Sequence, residues 1–193
     1  MLPVAPASRA FNFKHRDNSY ELEFFYNGNS AQLLSLFPDS DLRNYLNASA
    51  SRLLQKSLHK TLDPLMEGLS DRDRIELLLS FVQSMPYQTD EEQFGKEKVF
   101  YPDEFFSHKF SDCDDRVVFL TYLIKELVGL EVIAVTFPRH VALAVKLTSP
   151  DYGENIVYQG VEYSLCDPTY FGAPIGTVIP QADFSRAKII PIQ

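Results

Sequence analysis

The sequence predicts an α+β fold in which a core helix carrying Cys113 packs on an antiparallel sheet. Apolar residues recur at helical spacing over 30–62, 70–82 and 117–128. Beyond Gly129 they fall in short blocks bounded by Pro and Gly, the pattern of strands and turns. Helices therefore come first and an antiparallel sheet later, which is the α+β order. A length of 193 residues, 45% hydrophobic and 23% charged, suits one domain, 1–193, with a sizeable core.

The elements follow in order. Residues 1–10 read as a loose arm. Tyr20, Leu22, Phe24 and Tyr26 alternate with Glu21 and Glu23, giving a half-buried strand, and Asn27-Gly28-Asn29 turns the chain. The helical run from Ser30 to about Leu62 is interrupted at Phe37-Pro38-Asp39, with Asp39 to Asp41 offering a new N-cap, and Pro64 and Gly68 break it. The first part of the domain thus spans 20–69 and a core of 70–180 follows. Ser70 with Asp73 resembles a capping box for a helix through Ile75, Leu78, Leu79 and Val82, which Pro86 ends. Residues 87–110 read as a long ordered loop or short helical turns, a length of connection that usually carries function.

Ser111 or Asp112 caps the next helix, whose face is Val117, Val118, Leu120, Thr121, Leu123, Ile124, Leu127 and Val128, and Gly129 stops it. Strands are expected over 131–137, 140–147 and 161–167, with a loop over 148–154, a short edge piece over 156–158 and a last apolar piece over 189–192.

The bulk charge narrows the function. A net charge of −8 argues against a nucleic-acid surface, so no nucleic-acid partner is expected. No apolar run reaches transmembrane length and the N-terminus carries no signal-peptide pattern, so no membrane span is expected. Compartment and oligomeric state stay open. Two cysteines do not make a disulfide framework.

The chemistry gathers on Cys113, His140 and Asp167. Cys113 lies in the first turn of its helix, where unpaired N–H groups and the positive dipole end favour a thiolate. A free thiol titrates near pH ~8.5, and lowering that by two units requires roughly 2.7 kcal/mol. A helix terminus supplies only ~0.3–1 kcal/mol. Asp114 and Asp115 oppose the shift and Arg116 offsets part of that, so an adjacent imidazole is needed. His140 opens a strand whose small residues Ala142 and Ala144 are expected to leave room for the Cys113 helix. Asp167 closes the strand that begins at Val161. If the two strands pair antiparallel, His140 and Asp167 become neighbours and the carboxylate orients the ring.

Three segments, Asp112-Cys113-Asp114-Asp115-Arg116, Phe137-Pro138-Arg139-His140-Val141 and Cys166-Asp167-Pro168-Thr169-Tyr170, together resemble the transglutaminase-like superfamily, across roughly residues 70–180. The chain is more similar to bacterial members than to the animal enzymes. The resemblance implies a papain-like fold and a Cys-His-Asp triad in this chain order. It further implies a thioester on Cys113 and a protein or peptide substrate, cleaved by water or transferred to an amine, with neither cofactor nor metal. The animal enzymes place a tryptophan upstream as an oxyanion donor, and this chain has no tryptophan. Tyr87 stands in the corresponding segment, with Gln88 and Gln93 as rivals, and the Cys113 backbone N–H is the implied second donor.

Each residue also has a plainer role. Cys113 could be a small core residue, His140 a backbone-bonded core histidine and Asp167 a turn-forming cap. A Cys113–Cys166 disulfide would silence the nucleophile, and Cys113, His140, Cys166 and Asp167 are conceivable zinc ligands. Asp112, Asp114 and Asp115 could bind a cation, although helix capping is the simpler use. His15, His59 and His108 have no assignable partners and are expected at the surface. A catalytically silent domain that binds a protein or peptide is the alternative to an enzyme.

Overall fold

The computed structural model describes residues 4–148 and 153–192. The expected loop at 148–154 therefore lies mostly outside the described residues, as do the first three residues of the expected arm.

From Pro6 onward the rest of that arm is a strand. β1 (Pro6–His15) pairs antiparallel along its whole length with β2 (Asn18–Asn27), from Pro6 opposite Asn27 to His15 opposite Asn18. Two residues explain the difference. Phe11 and Phe13 are buried, and with Phe24 they pack on Phe81, at ring-centroid distances of 5.2 Å from Phe11 and 5.1 Å from Phe24. Burying an aromatic side chain of this size contributes about 1.5–3 kcal/mol, enough to order a polar strand around it.

The helices follow as α1 (Gly28–Leu34), α2 (Leu42–Leu46), α3 (Arg52–Met66) and α4 (Asp71–Gln83). The expected turn at Asn27 is the N-cap of α1, the Asn27 side chain accepting the Asn29 N–H. α3 runs through Pro64 to Met66. Proline removes one helical hydrogen bond, and so near the C-terminus the loss is borne without ending the helix before Met66. Ser70 caps α4 by accepting the Asp73 N–H at 3.2 Å, as its spacing predicts. The 87–110 stretch holds two short helices, α5 (Asp90–Phe94) and α6 (Pro102–Ser107).

α7 (Cys113–Leu123) has Asp112 as its N-cap and continues into a π-helical turn, Ile124–Val128, that ends on Gly129 at φ 76°. From Asp115 to Leu123 every residue is buried. The helix is apolar all round because it is central, packed against α2, α4, α6 and the sheet.

The sheet comprises β3 (Val132–Phe137), β4 (His140–Val145), β5 (Asn155–Tyr158), β6 (Val161–Cys166) and β7 (Lys188–Pro191), in the order β5-β6-β4-β3-β7 with antiparallel neighbours. β5 lies on the edge, so β4 and β6 are adjacent as the triad requires, with Leu143 opposite Cys166 and Ala144 opposite Leu165. The face that meets the helices is the reverse of the one expected. Val141, Leu143, Val145 and Cys166 join Val117 and Leu120 in the main core. Ala142 and Ala144 belong to a second apolar layer with Ile133, Tyr163, Leu165 and Val178. The larger side chains give the helix more surface to bury, and the small alanines admit Tyr163 on the far side.

Candidate active site

Three chain segments converge where the start of β4 meets the start of α7. A tight hairpin sets the first. Pro138 fixes a negative φ, Arg139 takes φ 61°, and Phe137 pairs with His140 across the turn. The turn therefore delivers His140 at the first position of β4, with its ring parallel to that of Phe137 at 6.3 Å.

Asp167 leaves the end of β6 fully buried. Its Oδ2 accepts from His140 Nε2 at 2.8 Å and from the Ile179 N–H at 3.1 Å. Its Oδ1 accepts the Thr169 N–H at 2.9 Å and the Tyr170 N–H at 3.2 Å. Three backbone donors stabilise this carboxylate as an acceptor, so Nε2 of a neutral His140 must carry the proton. Nδ1 is then left with its lone pair, the state a general base needs. The Asp-Pro-Thr segment caps its own turn and also holds His140; the two roles coincide.

Cys113 is the first residue of α7 and half-buried. Asp112 Oδ1 accepts the Asp114 and Asp115 N–H groups at 3.1 and 3.4 Å. The Val141 N–H, next in chain to His140, lies close enough to the sulfur to favour its charged form. The thiol nonetheless donates to Asp114 Oδ1 at 3.3 Å, and among the described residues its hydrogen-bond partner is that carboxylate, not His140. Burial, then Asp114 and Asp112, push the Cys113 thiol well above its ordinary value. Burial and the two carboxylates thus work against the thiolate that the helix terminus and an adjacent imidazole are together expected to favour. Two adjacent carboxylates and desolvation outweigh a dipole term of about 1 kcal/mol. Burial raises the Asp114 carboxyl above its ordinary value, while the Cys113 hydrogen bond and the His140 charge oppose that shift.

Tyr87 stands beside this cysteine. A parallel bridge joins it to Ser111, and the next residue, Gln88, donates its N–H to the Ser111 carbonyl at 3.3 Å. Burial, followed by the Cys113 and Asp112 charges, pushes the Tyr87 phenol up to about 12, so it remains a donor. Gln93 is committed elsewhere, its amide donating to the Gln88 carbonyl at 3.0 Å. Cys113 and Cys166 are both free, and Cys166 is buried in the core, so no disulfide silences the thiol. Among the described residues the four conceivable zinc ligands do not come together; the acidic groupings are Asp112–Cys113–Asp114 and Asp90–Asp112–Asp115.

Two residues have supporting roles that are not evident from their local sequence. Gln83, on α4 and 5% exposed, donates to the carbonyls of Asp167, Tyr170 and Ala173 at 3.1, 2.9 and 3.1 Å and accepts the Gly172 N–H at 3.0 Å. Its only sequence signal is a glutamine directly after Val82 on a core helix. Arg116, almost completely buried, donates to Ser111 Oγ at 3.0 Å, to the Pro168 carbonyl at 3.3 Å and to the Met85 carbonyl. It thus ties together the segments bearing Tyr87, Cys113 and Asp167.

The other three histidines are engaged rather than idle. His15 is buried against Ser80 at 2.9 Å, and His59 bridges Asp63 and Glu126. His108 stacks on Phe100 at 4.3 Å.

Burial and mutual repulsion also raise the carboxyls around the cap, Asp90 to about 6, Asp112 to about 7 and Asp115 well above the usual range.

No family model, curated protein or solved structure matches the chain.

Proposed function

We propose that the protein is a cysteine-dependent hydrolase or acyl transferase acting on an amide bond of a protein or peptide, built on a transglutaminase-like, papain-like scheme. The observation that carries this reading is the buried His140–Asp167 pair, at 2.8 Å, saturated by backbone donors and set beside the helix start that bears Cys113. Cys113 Sγ attacks the substrate carbonyl as its proton passes to His140 Nδ1, which fits a resting thiol that is neutral. The oxyanion is held by the Cys113 N–H, an orphan donor of the first helical turn, and by the Tyr87 hydroxyl; Gln88 is the alternative side-chain donor. Collapse breaks the C–N bond, His140 returns the proton to the leaving amine, and water or a second amine resolves the thioester.

A second reading, a silent domain that binds a protein or peptide partner, draws support from the Cys113–Asp114 hydrogen bond, which occupies the thiol at rest. Incubation with a peptide library and mass spectrometry separates the two. The enzyme reading expects a thioester on Cys113, cleaved or transferred products, and loss of both in Cys113→Ala and His140→Ala with the fold retained. Peptide retention without any thioester or product would favour the silent domain and end the enzyme reading.

A further inference from the structure

We propose that the cavity between the β3–β4 turn and the start of β7 is a subsite for a carboxylate of the substrate, supplied by an acidic side chain or a free chain end. This subsite rests on the reading of Cys113 as acting on a protein or peptide, and names a group that substrate carries. The cavity measures about 430 Å³ and is lined by Thr136, Phe137, Pro138, Arg186 and Lys188. Its charged lining is therefore one guanidinium and one ammonium. Asp183, the carboxylate nearest to them in the chain, accepts from the Ser185 N–H at 3.1 Å and the Ser185 hydroxyl at 2.6 Å. Arg186 and Lys188 are exposed, and among the described residues neither enters an ion pair. The chain carries 26 acidic and 18 basic residues, so two unneutralised cations on one cavity form a local reversal of the overall charge, which is where an anion is drawn.

The sheet brings these residues to the proposed active site. Lys188 lies opposite Thr136 in the β3–β7 pair, and the Thr136 hydroxyl donates to the Lys188 carbonyl at 3.3 Å. Along β7, Ile190 packs on the main core and Ile189 on the second layer, so alternation places Lys188 on the side of the sheet that α7 covers. Arg186 precedes it at the end of a single 3₁₀ turn, Phe184–Arg186, whose Phe184 ring stands edge-on to Phe137 at 5.3 Å. Phe137 is common to the cavity and to the proposed base, since its ring also lies parallel to that of His140 at 6.3 Å. An extended peptide advances about 3.3 Å per residue, which puts the subsite a few residues from the bond that Cys113 attacks.

The lining suits a carboxylate in particular. A guanidinium presents a planar fork that meets both carboxylate oxygens, and an ammonium adds a point charge beside it. Phe137 and Pro138 offer apolar surface to the methylenes of an acidic side chain. A neutral amide of the same shape brings no charge and turns its own N–H donors toward two donor groups, so the cavity discriminates against Gln and Asn by repulsion as well as by lost attraction. Both cations face solvent, so the preference is modest and screened by salt.

The test is retention of random peptides on the immobilised full chain carrying Cys113→Ala, read by mass spectrometry. One pool carries a single Glu or Asp, a matched pool carries Gln or Asn, and each is made with a free or an amidated C-terminus. A carboxylate-bearing pool is expected to be retained about fivefold or more over its matched amide, the scale of two partly exposed ion pairs, and the preference falls as salt rises. Preference for Glu and Asp assigns a side chain, and preference for the free C-terminus assigns the chain end. Arg186→Gln with Lys188→Gln removes the preference, whereas Lys146→Gln, at a cation paired with Glu131 at 3.0 Å, leaves it in place. Retention of no pool, equal retention of all, a preference that survives the double substitution, or one lost equally in Lys146→Gln overturns the subsite. Thioester formation on the wild-type protein, followed with the same pools, is a separate readout. A thioester formed equally from every pool ends this proposal and leaves the chemistry proposed for Cys113 standing, and charge-selective retention without any thioester does the opposite.

Discussion

The Gln83 side chain reaches across from α4 to the backbone carbonyl of Asp167, at 3.1 Å, and the same amide also holds Tyr170, Gly172 and Ala173. The loop that presents the proposed orienting carboxylate is therefore held at four points by one helix residue. Gln83→Leu leaves three carbonyls and one N–H without that partner in a buried place. A buried group left unpaired costs about 1–3 kcal/mol, and loop relaxation recovers part of the total, so a loss of about 3 kcal/mol is expected. Urea unfolding measures it. If the enzyme reading holds, kcat falls in Gln83→Leu while KM changes little, because the substrate carbonyl is contacted by other groups. A stable, fully active Gln83→Leu would show that the loop holds itself.

Asp167→Asn separates orientation from charge. The carbonyl oxygen of the introduced amide still accepts the Thr169 and Tyr170 N–H groups, but its NH2 faces the Ile179 N–H and His140 Nε2. Two donors then oppose one another unless the imidazole moves its proton to Nδ1, the atom the mechanism needs unprotonated. Turnover is expected to fall by about 10³–10⁴-fold, the scale of a wrong-tautomer defect. NMR of the ring nitrogens checks the cause, with Nε2 protonated in wild type and Nδ1 protonated in the variant. An unchanged tautomer with full activity would contradict this role for Asp167.

Local pattern identified much of the fold. The Asp112 cap, the Ser70 cap and the Pro138-Arg139 hairpin each follow from residues within a short window, whereas the β4–β6 adjacency stands in the sequence only as a condition for the triad. What eluded the sequence depends on distant partners. β1 has only Phe11 and Phe13 as large apolar inward residues, and they count because Phe81 waits on another element. The face of β4 that meets the helices is not legible in the sequence, because alternation distinguishes two sides of β4 without saying which one a helix covers. Cys113 could be placed at a helix start, but the desolvation and the Asp114 contact that hold it as a thiol are properties of the folded surroundings. Gln83 and Asp90 are ordinary polar residues until their carbonyl and carboxylate neighbours are known.

His108 gives a pH signature independent of the site. Its ring lies on Phe100, and burial, with Lys98 and Arg9 nearby, lowers its pKa from 6.5 to about 4. Between those values the unfolded chain binds a proton that the folded chain refuses. Stability attributable to His108 is therefore fully present above pH 6.5 and falls as the pH drops toward 4, by on the order of 1–2 kcal/mol because the ring is partly exposed and its charge is screened. His108→Phe keeps an aromatic ring on Phe100 without the titration. The difference in unfolding free energy between the two proteins, followed from pH 7 to pH 4.5 by urea denaturation, is expected to move steadily in favour of the variant. A difference that is flat with pH would mean His108 titrates alike in both states.

Arg116 sets the last test, because it joins three segments that the proposed mechanism needs in register. Its donors reach Met85 two residues before Tyr87, Ser111 two residues before Cys113, and Pro168 immediately after Asp167, while its guanidinium lies 5.4 Å from the Tyr87 ring centroid. A planar fork serves three acceptors in different directions, whereas a lysine ammonium at the end of a flexible stem cannot span them. Arg116→Lys keeps the charge, so a simple electrostatic role predicts little change. The bridging role predicts a loss of about 2–3 kcal/mol in urea unfolding, from buried carbonyls left unpaired. It also predicts a fall in kcat of tenfold or more, as Tyr87 and Asp167 lose their common anchor. Wild-type stability and turnover in Arg116→Lys would show that the three segments hold their positions without it.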